Sequence, residues 1–409
     1  MTLNLTMNKF ALIVLTVLSL NSCTSKITAQ SKKPCYIVYD AGSSGTRLYI
    51  YEQLGANLIS HEGPKVSALA DPIRYTHGKD LSDLDTITNE VASALDLIKL
   101  DGPLEEGKPK WSGFDWSKQC EAQSVKVFAT AGMRIAEQIN PADSLVLWQT
   151  LASKINAKVG HNIKVEARTL TGFEEGLFAW LSVKDVYPSG HYGMVEMGGA
   201  SSQITFPCPQ CSLANDAVKT VTVDGKPIQI YSYSYLGLGQ NEAPYSLPFG
   251  VAGQVPKSCS YGVGANNPDW TIASCAVEIP ITAKGSNTDI IDPYNYTKTG
   301  TKGTTNTLPA AHKNIPKWLL MGAFNYAKET DIDDFCFNQH DGYYNAFTAC
   351  FNPIYLDKYL KTLNIQAEQS SKVDVSWTQG AVICQIENCL ATITPPPVCR
   401  WMKSGCLAY

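Results

Sequence analysis

Two short segments, far apart in the chain, are built on one plan: Asp40-Ala41-Gly42-Ser43-Ser44-Gly45-Thr46-Arg47 and Glu196-Met197-Gly198-Gly199-Ala200-Ser201-Ser202-Gln203. Each is an apolar, β-rich run that ends in a carboxylate, followed by a turn of small residues and a second alternating run. Glycine has no Cβ, so backbone N–H groups can close on an anion, and Ser and Thr hydroxyls add donors around it. Gly42, Ser43, Ser44, Gly45, Thr46 and Arg47, with Gly198, Gly199, Ala200 and Ser201, are therefore expected to bind phosphate. Phosphate would repel the carboxylates of Asp40 and Glu196. They are expected instead to hold a divalent cation, mostly through its water, because Mg²⁺ dehydrates reluctantly. Two such loops facing each other across a cleft would grip a polyphosphate and its metal from both sides, which points to a nucleotide-handling enzyme.

Hydrolysing a terminal phosphate needs a water in line with the leaving oxygen, a base for its proton, and positive charge around the transferring group. Glu175 lies between the two loops in sequence and beside Gly176, which leaves room for water; it is the candidate base. Glu174 is one residue away, about 100° around a helix, and is expected to face elsewhere as an ion-paired or solvated carboxylate. Ser201 and Gln203, just beyond the second glycine pair, are candidates to orient the water, with strand-end hydrogen bonding as the alternative. Arg47, beside the first loop, reads as a phosphate ligand. For Arg134 the two readings, phosphate clamp or ion pair within the fold, stay open.

The elements that must position these groups are legible as periodicities. Residues 36–40, 125–129, 163–167 and 193–197 read as strands, with 48–51 as a hairpin partner of the first. Leu81, Leu84, Ile87, Val91, Leu95 and Ile98 recur at helical spacing. Thr130-Ala131-Gly132-Met133-Arg134 reads as a strand-end loop, and Asn140-Pro141 caps a helix running through Ile155. A further helix spans 172–183, and Asp224-Gly225 marks a hairpin turn. Alternating strands and helices imply an α/β fold, and the repeated glycine hairpin implies two related halves. A chain of 409 residues should form two or three compact domains. Its net charge of −4, without any run of Lys and Arg, excludes broad electrostatic capture of nucleic acid.

Lys9 precedes the apolar run 10–20, the pattern of a signal peptide, so 1–30 is expected to be a leader and linker of an exported chain. Leu20-Asn21-Ser22-Cys23 resembles a lipobox, with Asn21 unusual there, which leaves a membrane tether through Cys23 and plain cleavage near Ala29-Gln30 both open. Apart from Cys23 the cysteines form an even set, which in an exported chain reads as disulfides. Cys208-Pro209-Gln210-Cys211 has the spacing of a zinc knuckle, but no close second pair completes one. The strands after Cys35 and Cys120 both end in candidate active-site loops, so both begin at the opposite sheet edge, which pairs the two cysteines. Cys259 with Cys275 and Cys336 with Cys350 are expected loop staples; connectivity among Cys384, Cys389, Cys399 and Cys406 stays open.

Five segments, 40–47, 129–134, 172–180, 196–203 and 234–242, resemble in order the five signature regions of the nucleoside triphosphate diphosphohydrolases, the apyrases. Trp377-Thr378-Gln379-Gly380 resembles that family's C-terminal tryptophan segment. The resemblance implies two actin-like, ribonuclease-H-like lobes, 31–168 and 169–377, with the active site in the cleft between them and 378–409 returning to the first lobe. It also implies nucleoside tri- and diphosphates as substrates, Glu175 as the base, and Thr130 and Trp377 among the groups around the metal's waters. The family has Asp where this chain has Glu196. The extra methylene moves the carboxylate by about 1.5 Å, so Ca²⁺ or Mn²⁺ could gain on Mg²⁺. Gly322-Ala323-Phe324-Asn325-Tyr326 resembles the segment that supplies one side of the base slot; Asn325 and Tyr344 are the base-binding candidates, with broad base specificity. Residues 284–309 read as a long surface excursion. The expected protein is an extracytoplasmic monomer. Two other readings remain, an exopolyphosphatase-like phosphohydrolase and a catalytically silent nucleotide-binding surface lipoprotein. Leu236-Gly237-Leu238-Gly239-Gln240 argues against the former.

Overall fold

The structure is a computed structural model that describes residues 32–74, 81–100, 113–184, 186–247, 254–281, 308–328, 330–338, 346–391, 399–402 and 405–408. The expected leader with Cys23, Tyr344, and all but the last two residues of the 284–309 excursion lie outside these.

The first sheet opens with an antiparallel meander, β1 (Lys33–Gly42), β2 (Gly45–Leu54) and β3 (Asn57–Val66). The short helix α1 (Asp71–Arg74), α2 (Leu81–Leu97) and the single turn α3 (Trp116–Gln119) then lead to β4 (Cys120–Ala129), which lies parallel to β1. Helices α4 (Ala131–Ile139) and α5 (Pro141–Val159) return the chain to β5 (Lys164–Thr169), giving the order β3-β2-β1-β4-β5. Alternation sorts the faces of β1. Ile37, Tyr39 and Ala41 join Leu48 and Ile50 in a core with Leu84, Ile87, Val91 and Leu95 of α2. Tyr36 and Val38 turn the other way.

The second sheet repeats this plan. After α6 (Gly172–Ser182) come β6 (Gly193–Met197), β7 (Ser201–Pro207), β8 (Val218–Val223) and β9 (Lys226–Leu236), then the short helices α7 (Ala243–Ser246) and α8 (Ile272–Ala276). β10 (Trp318–Gly322), α9 (Ala323–Tyr326), α10 (Phe351–Thr362) and β11 (Ser370–Lys372) complete it, in the order β11-β10-β6-β7-β9-β8. β6–β7–β9 is antiparallel, and β10 and β11 run parallel to β6. With the edge strand β8 set aside, order and directions match those of the first sheet. The chain is thus an α/β fold of two actin-like, ribonuclease-H-like halves. The β8–β9 turn places Asp224 at φ 51° and Gly225 at φ 70°, as a two-residue hairpin of this kind requires.

Helix α11 (Trp377–Glu387) packs on both halves, and a last hairpin, β12 (Cys399–Met402) and β13 (Gly405–Ala408), follows it. Val382 joins Tyr36, Val38 and Tyr51, while Trp377, Ala381 and Cys384 join Phe178 and Leu181 of α6. The crossing with α6 is close because position 380 is glycine: a Cβ there would overlap the Phe178 carbonyl. Tyr51 and Thr378 share a hydroxyl hydrogen bond of 2.7 Å, and Ser124 donates to Gln385 at 3.0 Å.

One expected loop is a helix. Only Thr130 stands outside α4, whose first turn begins at Ala131. Gly132 lets that turn lie against the first glycine hairpin, with its would-be Cβ only 3.0 Å from Ser43 Cα.

Cys35 pairs with Cys120 where β1 and β4 begin, their Cα atoms 5.8 Å apart. Cys259–Cys275 and Cys336–Cys350 close local loops. Cys208 bonds Cys211, and Cys384 bonds Cys389 just beyond α11. Replacing Cys35 and Cys120 together by serine is expected to cost about 4 kcal/mol in the chain-entropy account of an 85-residue separation. Thermal unfolding should show a lower midpoint; an unchanged midpoint would mean the bond adds nothing to the first half.

Candidate active site

The duplicated topology puts equivalent carboxylates at equivalent strand ends. Asp40 stands opposite Arg47 in the β1–β2 ladder, and Glu196 opposite Gln203 in β6–β7. The two turns meet: a Cβ on Gly199 would overlap Ser43 Oγ. The segment after β9 grips the second turn through its carbonyls. Gly237 N–H donates to Ala200 O at 2.8 Å, Asn241 N–H to Gly199 O at 2.9 Å, and Gln240 N–H to Gly198 O at 3.0 Å. Gly239 packs on the backbone of residues 199–201 so tightly that no side chain fits.

Helix α6 delivers the central acid. Thr171 caps it reciprocally with Glu174, and the Glu174 carboxylate pairs with Arg168 at 2.7 Å. Burial pushes Glu174 up, but Arg168 and Thr171 together hold it below the usual carboxylate range. The pair fixes the helix start and turns Glu174 away from the turns, as its sequence position suggested. Gly172 and Gly176 then let α6 settle onto β9 and β7, with would-be Cβ atoms 2.5 Å from Ser234 Cβ and 2.5 Å from Thr205 Oγ1.

That approach closes a network. Arg134 Nη2 lies 2.6 Å from Glu175 Oε2 and donates to Ser234 Oγ at 3.0 Å and Ser201 Oγ at 3.2 Å. Gln203 Nε2 donates to Ser201 Oγ at 2.6 Å and Ser234 Oγ at 2.9 Å. Ser201 Oγ thus accepts from both Arg134 and Gln203, which directs its own proton to a further acceptor. Gln203 Oε1 is buried without a partner, an acceptor available to a bound water. Of the two readings of Arg134, the ion pair within the fold is the one formed here. Ser234 was given no role of its own from sequence, although it opens the fifth signature segment, 234–242; its local signal is the Ser-Tyr alternation that ends β9.

Asp40 and Glu196 lie beside this network. Burial pushes Asp40 up to about 6, while Arg47, a hydrogen bond from Trp377 and Lys65 pull it back. Burial, then the charges of Glu175 and Asp40, hold Glu196 well above its ordinary value, and Glu196 Oε2 is buried without a partner. An orphaned oxygen amid mutually repelling carboxylates fits a divalent cation, and the donors are all hard oxygen. Among the described residues no three His, Cys, Asp or Glu side chains close around one point. Thr130 occupies the N-cap position of α4 without a side-chain capping bond and is buried, its N–H on Ala41 O at 3.2 Å. Trp377 is only 7 % exposed.

Arg47 pairs with Glu62 at 3.0 Å on the rim. Asn325 is half-buried in α9, whereas Tyr326 next to it is 71 % exposed and shares the electrostatic surroundings of Arg47 and Glu62. The aromatic face offered on this segment is therefore Tyr326. Sequence reasoning also missed a buried ion pair, Arg74 Nη2 to Glu242 Oε2 at 2.8 Å, which ties α1 to the segment gripping the second turn.

The GDA1/CD39 (nucleoside phosphatase) family model matches residues 26–249. The chain belongs to the GDA1/CD39 family. Its relatives include probable apyrase 5 of Arabidopsis thaliana, 26 % identical over 261 residues that cover 61 % of this chain and 46 % of that one. Ectonucleoside triphosphate diphosphohydrolase 6 of Homo sapiens is 28 % identical over 248 residues, covering 54 % and 44 %. The chain thus spans less than half the length of these GDA1/CD39 relatives. Among solved structures, an exopolyphosphatase from Cytophaga hutchinsonii aligns with 87 % of this chain and 98 % of its own at 11 % identity and a TM-score of 0.45, too distant to bear on chemistry. No helix among the described residues is long and apolar enough to cross a membrane.

The raised Asp40 gives this GDA1/CD39 protein an inverted pH signature. Its carboxyl titrates near 6 when folded and near 3.8 when unfolded, so folding favours the protonated form. That stabilisation is full below the unfolded value and is lost as pH rises through about 6. Urea unfolding in EDTA should therefore show falling stability from about pH 4 to 6, with a shallower fall in Asp40→Asn. An unchanged slope in the variant would assign the effect to other groups.

Proposed function

We propose that this chain is an exported, divalent-metal-dependent hydrolase that removes terminal phosphates from nucleoside tri- and diphosphates by in-line attack of an activated water. The observation that carries the reading is the convergence of Glu175, Arg134, Ser201, Gln203 and Ser234 where the two glycine turns meet. The turns supply backbone and hydroxyl donors for the phosphate chain. Gln203 Oε1 and Ser201 Oγ hold the water, and the Glu175 carboxylate takes its proton as the new P–O bond forms and the nucleotide oxygen leaves. Arg134, with its Nη2 2.6 Å from Glu175 Oε2, aims the Glu175 carboxylate at that water. Asp40 and Glu196, with Thr130 and Trp377 beside them, would hold the waters of the cation. When bound, the cation supplies positive charge to the phosphate oxygens. Tyr326 offers a stacking face for the base. The relatives' names supply the nucleotide substrates, and five disulfides among the described residues support an oxidising, extracytoplasmic location.

Phosphate release from ATP, ADP and long-chain polyphosphate, each with Mg²⁺, Ca²⁺, Mn²⁺ or EDTA, tests the reading. ATP and ADP should be hydrolysed with metal and spared in EDTA. Release from polyphosphate alone would favour the exopolyphosphatase reading, and nucleotide binding without release the silent binder. Glu175→Ala should lower kcat by about 10²–10⁴ while leaving nucleotide binding nearly intact, the range for a lost general base. Near-normal turnover in that variant would remove Glu175 from the role.

A further inference from the structure

The third strand of the first sheet carries an irregularity that turns one lysine onto the active-site face. Across β1 and β2 the partners Tyr36–Tyr51, Val38–Tyr49 and Asp40–Arg47 share one face of the sheet. β3 continues this row with Ser60 opposite Tyr51 and Glu62 opposite Tyr49, and regular pairing would next place Pro64 opposite Arg47. Instead the register shifts, and Lys65 stands opposite Arg47. The extra residue falls at Gly63-Pro64, both buried, against Leu48. A one-residue shift moves every later side chain to the other face, so without this bulge Lys65 would point away from Asp40. Bulges of this kind re-aim side chains beside functional sites.

The re-aimed side chain lands on the phosphate turn. A Cβ at Gly45, the residue that closes the first hairpin, would overlap Lys65 Cε and lie 3.2 Å from its Cγ. The lysine stem therefore crosses the turn where Gly45 has no side chain. Its ammonium, one bond beyond Cε, is held at the hairpin, and no carboxylate among the described residues lies within ion-pair distance of it. Arg47, the cation the hairpin itself encodes, is already engaged by Glu62 at 3.0 Å and by Tyr49.

We propose that Lys65 is a phosphate-binding residue of this site, the cation that meets the polyphosphate chain of an incoming substrate at the first hairpin while Arg47 stays paired at the rim. An ammonium on a flexible stem suits this task, since it follows a phosphate oxygen as a point charge without demanding bidentate geometry. The inference rests on the phosphohydrolase reading above, but it concerns the phosphate chain and not the nucleoside.

The test is equilibrium binding of two probes in Ca²⁺, the β,γ-imido analogue of ATP and inorganic triphosphate, to wild type, Lys65→Met, Lys65→Arg and Arg47→Met. Lys65→Met should weaken both probes by about 10- to 100-fold, the effect of one charge-assisted hydrogen bond. Lys65→Arg should restore most of that loss, and Arg47→Met should lose much less. In turnover, Lys65→Met should raise KM for ATP while kcat stays within about threefold. Wild-type affinity for both probes in Lys65→Met, or a larger loss in Arg47→Met, would overturn the proposal, as would a fall in kcat with KM unchanged. Triphosphate bound without the nucleotide analogue would sink the nucleotide reading and leave Lys65 to be judged on the triphosphate ratio. Binding of neither probe by wild type would overturn both.

Discussion

The site is organised around one buried contact, Arg134 Nη2 against Glu175 Oε2 at 2.6 Å, with the two side chains only 11 % and 7 % exposed. A buried ion pair gains little unless other hydrogen bonds satisfy what water has lost. Here Ser201 and Ser234 accept from the same guanidinium nitrogen, and Gln203 ties the two serines together. Arg134 comes from a helix of the first half, Glu175, Ser201, Gln203 and Ser234 from the second. The contact therefore joins the halves at the point where the candidate water and its base must be held. Removing any member would leave a charged or polar group stranded in a low-dielectric setting, so the network specifies one arrangement rather than several.

Glycines set the distances on which that contact depends. Gly172 and Gly176 bring α6 within reach of β9 and β7, Gly199 lets the second turn touch Ser43, and Gly239 seats the supporting segment beneath it. At Gly172, Gly199 and Gly239 the neighbouring atom belongs to the network or to the turns themselves, and at Gly176 it is the Thr205 hydroxyl, two residues along β7 from Gln203. A methyl group at any of them would push apart groups that now meet within hydrogen-bonding distance, and cores transmit such displacements because they are close-packed.

What the sequence made legible follows from how local each signal is. The glycine hairpins, the strand-end acids and the position of Glu175 are carried by short contiguous motifs, and the Cys35–Cys120 bridge follows from two strand starts. The helical start at Ala131 was hidden because its reason, the fit of Gly132 against Ser43, lies about ninety residues away in the chain. Arg74–Glu242 and the function of Ser234 are non-local in the same way. The bulge at Gly63-Pro64 left a trace, a Gly-Pro pair inside a strand, but only the pairing of β2 with β3 reveals which side chain it turns.

Helix α11 has a consequence for the order in which the molecule can mature. The apolar face of the first sheet formed by Tyr36, Val38 and Tyr51 is covered by Val382, more than three hundred residues later in the chain. An emerging chain can lay down β1, β2 and β4 early, yet that face has no cover until α11 has been made and has packed between the halves. During synthesis the first half is thus a sheet with one sealed side and one open side, the kind of intermediate that associates wrongly with other chains. Its closing contact is also the last to arrive, so a chain truncated before α11 would carry every residue of the two glycine turns and still present a sticky, half-finished sheet.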